Sequence, residues 1–461
     1  MILLLLLLLP LMLNPASETF LFSNSDYQLQ IIKLKGEKPG PTALIFGGIH
    51  GDEPGSYFSS EMLSRTRMIR GSLILVPRVN FPSIMANQRG IHGDMNRKFG
   101  TENDPKDPDT KVVEVLKSLM AEADLFINQH DASGFHRKTH MSAKYNPRQY
   151  GQSLIVDTDR FFSTRLQKWI DLEQIGERIV SSVNAMIENP DFHFCFWNHN
   201  SLARDTKHPQ MRRSATHHAL AMHSIPAFGL ETSKDLPTLS HKVKYQFLLI
   251  KEILQEFGLE FELPSPEIIE PRLYWVEWQK NDRDVIRVNS NTIIRLEPED
   301  CIRISLIHAN YRDGLSADIL KWGTLNDLGK DFIFRGGTQT VLIKKNNFLI
   351  GRVFLQSFRS NSLREIRLAV NGKELSIPNW GRVEIHSDSS LRLAGLRPAQ
   401  KNMHLEIGEE NQRVAFPALS RGEMKAADLD PDWSIGRRGY FYPVWIYSSG
   451  NLVGGFQIEI L

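Results

Sequence analysis

His50 and Glu53 stand three residues apart in Gly47-Gly48-Ile49-His50-Gly51-Asp52-Glu53, an imidazole and a carboxylate on a glycine-rich bend. Such a pair can aim one nitrogen and one oxygen at a single metal ion, and Zn2+ accepts both ligand types. A zinc hydrolase needs three protein ligands and an open position for water. His130, which follows the apolar run Asp124-Leu125-Phe126-Ile127-Asn128, is the best third ligand. The chain holds 15 histidines, so position rather than residue type singles it out. His92, His136 and His140 are rivals on loops that the sequence does not orient, and His136-Arg137-Lys138 reads as solvated surface. His217 and His218 fall on a helix, where packing or exposure accounts for them. Bound to Zn2+, water has its pKa lowered from about 15.7 toward about 7, and a carboxylate must then take its proton and pass it on. Glu231, in Phe228-Gly229-Leu230-Glu231-Thr232-Ser233, ends a predicted strand and suits that role; an acid near the start of the next helix is the other reading. Arg89, Asn96 and Arg97 share the polar segment 87–97. A planar guanidinium there suits a substrate carboxylate, which it can bind through two parallel hydrogen bonds.

These residues converge only if the elements carrying them end at one sheet edge, which is where open α/β sheets bind ligands. Residues 43–46 read as a central strand running into the bend, and 57–65 as an amphipathic helix leaving it. Alternation over 27–34 predicts an edge strand; 72–76, 124–128 and 225–230 read as further strands. Segment 81–110 is loop-like, and 111–121 is helical by the spacing of Val112, Leu116 and Leu119. Residues 165–188 read as one long helix with Trp169, Leu172, Ile179, Val183 and Met186 inward, stopped by Pro190. The helix over 240–257 has Gly258 as its stop. Strands alternating with helices predict an α/β fold, a mixed but mostly parallel sheet flanked by helices. Beyond Gly258 the pattern changes to short strands and turns, with hairpin signals at Asn346-Asn347, Asn371-Gly372 and Ser449-Gly450-Asn451. Two small β-rich domains are expected, 261–358 and a β-sandwich-like 359–461, with the break near 357–362.

The length of 461 residues calls for two or three domains, and a net charge of +2 gives no reason to expect a nucleic-acid partner. Residues 1–17 read as a signal peptide: the apolar run ends at Leu13, too short for a span of about 20 residues. Ala16 and Ser17 offer a cleavage region, and no later stretch is apolar enough to span a membrane. Export to the periplasm is the expectation, with the catalytic domain at 18–260. Two cysteines, Cys195 and Cys301, make no disulfide framework, and Cys195 reads as a buried, inert thiol. The glycines near His50 are no dinucleotide fingerprint, because Asp52 and Glu53 would repel a pyrophosphate.

The order His50-x-x-Glu53, Asn96-Arg97, His130, Glu231 resembles the M14-type zinc carboxypeptidase clan over roughly residues 28–258. Within it, Phe126-Ile-Asn-Gln-His130-Asp-Ala-Ser-Gly and Pro226-Ala-Phe-Gly-Leu-Glu231-Thr-Ser-Lys are most similar to the helical-cell-shape peptidoglycan DL-carboxypeptidases of epsilonproteobacteria. The resemblance implies Zn2+ on His50, Glu53 and His130, and Glu231 as general base and acid. It implies a substrate carboxylate on Arg97 with Asn96, and Arg89 polarising the scissile carbonyl or sharing that carboxylate. The implied substrate is a peptidoglycan stem peptide, cut from tripeptide to dipeptide with release of meso-diaminopimelate. The β domains would position the enzyme or bind other cell-shape proteins. The active-site tyrosine of the digestive carboxypeptidases has no evident counterpart in the sequence. The alternatives are a zinc deacylase of N-acyl amino acids, of the aspartoacylase or succinylglutamate desuccinylase kind, and a wall-binding scaffold without activity.

Overall fold

The computed structural model describes residues 16–100, 104–297, 299–357, 363–408, 413–435, 439–449 and 451–461. The chain divides into two compact units, residues up to 23 with 27–269, and residues 24–26 with 270–461.

The first unit is built on a nine-stranded sheet. Its strands are β1 (Ala16–Leu21), β2 (Leu29–Lys35), β3 (Lys38–Phe46), β4 (Arg67–Val76), β5 (Leu125–Ala132), β6 (Ser153–Val156), β7 (Cys195–Asn198), β8 (Ala227–Ser233) and β9 (Glu260–Glu262). The order is β1-β2-β4-β3-β5-β8-β6-β7, with β9 on β4. The central run β4-β3-β5-β8 is parallel, whereas β2 joins β4 and β6 joins β8 antiparallel. Residues 43–46 of β3 and 125–127 of β5 are unbroken apolar runs, all at 0% exposure. That composition suits strands covered on both faces. Helices α1 (Pro54–Leu63), α4 (Leu172–Ala185) and α6 (Leu239–Glu256) pack together, and α3 (Thr110–Ala121) packs with α5 (Ala215–His223). A short helix α2 (Phe81–Ala86) starts at Asn80, whose side chain accepts from the Ser83 amide.

Several predicted elements differ. The strand over 27–34 is not the edge, because β1 pairs along it from Ala16↔Leu34 to Leu21↔Leu29. Residues 1–15 lie outside the described residues; Ala16 and Ser17 stand in β1. The helix expected over 165–188 begins only at Leu172. Before it, Arg160–Ser163 and Lys168–Asp171 form a hairpin whose turn holds Gln167 at φ 55°, and Asp171 caps the helix by accepting from the Gln174 amide. Trp169, expected inward, is 62% exposed. The loop expected over 81–110 contains α2, a 3-10 turn at Met95–Arg97 and the start of α3. Cys195, expected buried, is half-buried on the edge strand β7.

The second unit holds two pairs of sheets with separate cores. One pair lies over residues 273–357, around Val276, Trp278, Ile343 and Val353; the other over 365–460, around Leu368, Ile385, Val444 and Ile458. Both Asn346 (φ 55°) and Asn371 (φ 51°) sit in left-handed hairpin turns, as the asparagine signals predicted. The expected break near 357–362 lies largely outside the described residues.

Candidate metal centre and substrate cleft

The bend after β3 is shaped by glycine. Gly48 has φ 69°, and a Cβ on Gly47 would stand 2.6 Å from the Ser60 Cβ of α1, so helix and bend touch. Gly51 is tighter still: a Cβ there would lie 2.0 Å from the Ser83 carbonyl. Glu53 is the residue before α1, and Pro54 occupies the first helical position, where its missing N–H costs nothing. Asp131, at the end of β5, accepts from the Gly55 amide at 2.7 Å, while its own amide donates to Glu53 Oε2 at 3.2 Å. The start of α1 is thereby tied to the carboxyl end of β5.

His50, Glu53 and His130 meet there, and they are 2%, 2% and 5% exposed. Glu53 reaches both rings: Oε1 is 2.9 Å from His50 Nδ1, and Oε2 is 2.9 Å from His130 Nδ1. The two Nδ1 atoms are 3.2 Å apart. A tetrahedral ion with bonds of about 2.0–2.1 Å spans a ligand-to-ligand edge of about 3.3–3.4 Å, so this donor set fits a metal of zinc's size and preference. Asp94 Oδ1 lies 2.9 Å from His50 Nε2. A proton on Nε2 satisfies that contact and leaves the Nδ1 lone pair for a metal. Burial alone would raise the Glu53 carboxyl, but His50 and His130 hold it well below the ordinary range. Burial would lower His50, yet Glu53 and Asp94 bring it out above its usual value; for His130 burial prevails over Glu53, and its pKa falls.

Glu231 sits level with His130 in the parallel β5–β8 ladder. It is half-buried, and its Oε2 is a buried atom with no partner among the described residues. Burial first, and then the Glu53 charge, push its carboxyl well above the usual value. It plays no part in capping α6, which starts on Thr238.

The segment 87–97 is held on the other side. Asp94 caps the Met95–Arg97 turn by accepting from the Asn96 amide, and Asn96 Oδ1 accepts from the Ala215 amide at 2.9 Å, which fastens the turn to α5. Asn96 Nδ2 stands 3.4 Å from His130 Nε2. Arg89 donates to Glu53 Oε1 at 3.2 Å and to Asp94 Oδ2 at 3.0 Å. Arg97 Nη1 donates to the Asn96 carbonyl at 3.0 Å. His50, Glu53, Arg89, Asn96, Arg97, His130 and Glu231 all line one cleft of about 270 Å³.

In and beside the cleft stand residues that the sequence did not single out, Asp94 beside it through His50 and Arg89, and Lys234, Tyr150 and His199 on its lining. Asp94 lay within the segment singled out, two positions before Asn96. Lys234, which pairs with Asp52 at 2.5 Å, lies three residues beyond Glu231. Tyr150 and His199 come from loops that no periodicity marks. Tyr150 supplies a phenol in the cleft, where the sequence located no active-site tyrosine. Trp197 is stacked between the rings of Tyr150 and His136, at 4.6 and 4.3 Å. His136 is therefore not the solvated residue expected: it is 5% exposed, with Nδ1 2.9 Å from the Gln149 carbonyl. Of the other rivals, His92 and His140 are exposed. His217 and His218 sit on α5, their Nδ1 atoms at Ser201 Oγ and the Phe99 carbonyl.

A buried His-Glu-His donor set beside a carboxylate with one unpartnered oxygen, at the carboxyl ends of parallel strands, is an arrangement suited to a metallohydrolase. The chain belongs to the family described as the catalytic region of carboxypeptidases controlling helical cell shape, which matches residues 9–266. Among solved structures, it is similar to the tripeptide-bound cell shape determinant Csd4 of Helicobacter pylori. That likeness has 22% identity and a TM-score of 0.56, and covers 94% of this chain and 100% of Csd4. A second Csd4 structure, described as the mDAP-bound form of a D,L-carboxypeptidase, is 23% identical with a TM-score of 0.54, covering 92% of this chain and 97% of that one. At that level of identity the likeness speaks for the fold. The N-alpha-acetyl-L-2,4-diaminobutyric acid deacetylase of Halomonas elongata is 34% identical over 102 residues, which are 20% of this chain and 28% of that relative's length.

Proposed function

We propose that this protein is a zinc carboxypeptidase of peptidoglycan stem peptides. It releases meso-diaminopimelate from the tripeptide and leaves the dipeptide, and so influences cell shape. The observation that carries this reading is the single cleft in which three possible metal donors, the half-buried Glu231 carboxylate and Arg97 converge. Family membership sets the reaction class. Csd4, whose fold more than nine-tenths of the chain shares, has been solved with a tripeptide and with mDAP, which favours the same substrate here.

His50, Glu53 and His130 would hold the ion. When bound, Zn2+ supplies a Lewis acid that polarises a carbonyl and lowers the pKa of water. Asp94 keeps His50 in the tautomer that presents Nδ1. Glu231 takes a proton from water and delivers it to the leaving amine; its raised pKa makes it a strong enough base for the first step and an acid for the second. Arg97, supported by Asn96, takes the terminal carboxylate of the substrate. Arg89 lies between Glu53 and Asp94, where it can share that carboxylate or the scissile carbonyl. The stem peptides of the wall lie outside the cytoplasm, and the N-terminal leader would direct this protein to the periplasm, where they are. The second unit positions it on the wall or binds other cell-shape proteins. Among the described residues no helix is long and apolar enough to cross a membrane.

The test is a muropeptide digest with purified full-length protein and added zinc, read by mass spectrometry. Loss of tripeptide with gain of dipeptide, absent in Glu231→Ala, is the expected result; tripeptides left untouched would overturn the reading. One observation favours a second reading, a deacylase of N-acyl amino acids: the local match to the Halomonas elongata deacetylase. Hydrolysis of an N-acetylated diamino acid, without action on muropeptides, would put that reading first.

A further inference from the structure

Among the described residues that line the cleft, the buried polar side-chain atoms without a partner are Oε2 of Glu231 and both ring nitrogens of His199. Glu231 has its role in the proposed reaction. His199 has none, and it is 4% exposed. A buried imidazole with neither nitrogen bonded is costly, and a folded chain keeps such a group where something else satisfies it.

The residue is held firmly. It follows β7 directly, and its amide donates to the Val156 carbonyl at 2.9 Å. Its ring lies 5.0 Å from that of His208, 5.1 Å from Trp197 and 6.0 Å from Tyr150, centroid to centroid. Burial, aided by His208, Arg97 and His136, brings the imidazole down to about 3, so near neutral pH it offers one N–H and one lone pair. Those three neighbours carry positive charge whenever they are charged. A ligand group placed among them is best an acceptor, and an anion best of all.

We infer that His199 is a specificity-determining residue that donates its N–H to a carboxylate on the side chain of the released amino acid. The inference rests on the proposed function in one respect. The terminal carboxylate must occupy Arg97, which puts the rest of the released residue in the same part of the cleft as His199. A residue such as meso-diaminopimelate carries a second carboxylate at its far end; lysine has the same chain without it. His199 therefore separates the two.

The experiment compares full-length wild type, His199→Phe and His199→Gln on tripeptides ending in meso-diaminopimelate or in L-lysine. Calorimetric binding of free meso-diaminopimelate and circular-dichroism melts accompany it. For His199→Phe, kcat/KM on the diaminopimelate substrate should fall about 10–100-fold, the worth of a hydrogen bond to a charged group. The lysine substrate should change less than about twofold, and His199→Gln, which keeps a donor, should recover most of the loss. Equal losses on both substrates in a variant that melts normally, or no loss on either, would overturn the inference. If His199→Phe melts early, His199→Gln decides: a diaminopimelate preference reduced no less than if the donor were gone overturns it. If wild type cleaves neither tripeptide, the proposed function falls, and binding alone judges His199. Weaker binding of meso-diaminopimelate to His199→Phe, largely restored in His199→Gln, then sustains the inference, and equal or absent binding refutes it.

Discussion

Replacing Asp94 with alanine should weaken metal binding without touching a metal donor. Asp94 Oδ1 lies 2.9 Å from His50 Nε2, and the same side chain accepts from the Asn96 amide at 2.9 Å and from Arg89 at 3.0 Å. Its loss frees the His50 ring to rotate and to exchange tautomers, and it leaves Arg89 to lean on Glu53 alone. Removal of a carboxylate that orients a ligating histidine costs about 10–100-fold in metal affinity or activity, or about 1.4–2.7 kcal/mol. The loss of the turn cap at Met95–Arg97 adds about 1 kcal/mol against the fold. The assay is competition for Zn2+ against a chromophoric chelator at fixed pH, with Glu231→Gln run alongside. Glu231→Gln should bind zinc like wild type and lose turnover, whereas Asp94→Ala should lose affinity and, once saturated with zinc, regain much of its turnover. Wild-type affinity in Asp94→Ala would refute the claim that Asp94 orients His50.

Other consequences follow from the same geometry. In Glu231→Gln, kcat should drop by about 10²–10⁴, the worth of a general acid–base group, with KM little altered, measured by muropeptide kinetics. Arg97→Ala should lower kcat/KM about 10–150-fold through the lost charge-assisted contacts, mostly in KM. The His199 imidazole, held at about 3 against the ordinary 6.5, has a folded pKa below its unfolded one. Its stabilising effect is therefore complete above pH 6.5 and is lost as pH falls from 6.5 toward 3; the upper limit is about 4–5 kcal/mol. Denaturant titrations should show a shallower acid decline in His199→Gln, and an unchanged slope would refute the assignment. Gly51→Ala drives a methyl into the Ser83 backbone and should cost about 1–3 kcal/mol or more, seen as a lower Tm and weaker zinc binding.

The grouping of His50, Glu53 and His130, the proposed metal donors, was legible in the sequence because each falls at the end of an apolar run or on the glycine bend beside one, and strand ends are places that hydrophobic patterning can mark. Glu231 was legible for the same reason. The partners that adjust them were not. Asp94 acts through a cap on a single 3-10 turn, and nothing in composition separates it from other loop acids. Tyr150 and His199 reach the cleft from segments whose path is set by tertiary contacts, such as the Trp197 stack, rather than by any period. His136 shows how local composition misleads: Arg137 and Lys138 beside it suggest solvent, yet Trp197 covers its ring. The helix expected over 165–188 failed because Trp169 and Leu172 share a spacing that helices and hairpins both tolerate. Asp171, an N-cap residue type followed by Glu173 in the first turn, was the available sign that the helix begins there.

The register between β5 and β8 has a consequence for how such an enzyme can diversify. His130 and Glu231 stand opposite each other on hydrogen-bonded strands, so the gap between the proposed metal donor and the proposed proton carrier is set by the strand spacing of about 4.8 Å. That spacing belongs to the ladder and is indifferent to the side chains around it. Arg97, Tyr150, Gln210 and Met211 lie outside the strands. These loops can be rewritten for a different acyl or amino-acid partner while the reacting groups stay in place. Descent with new substrates can then proceed by loop exchange, while β5, β8 and the bend after β3 keep His50, Glu53, His130 and Glu231 together.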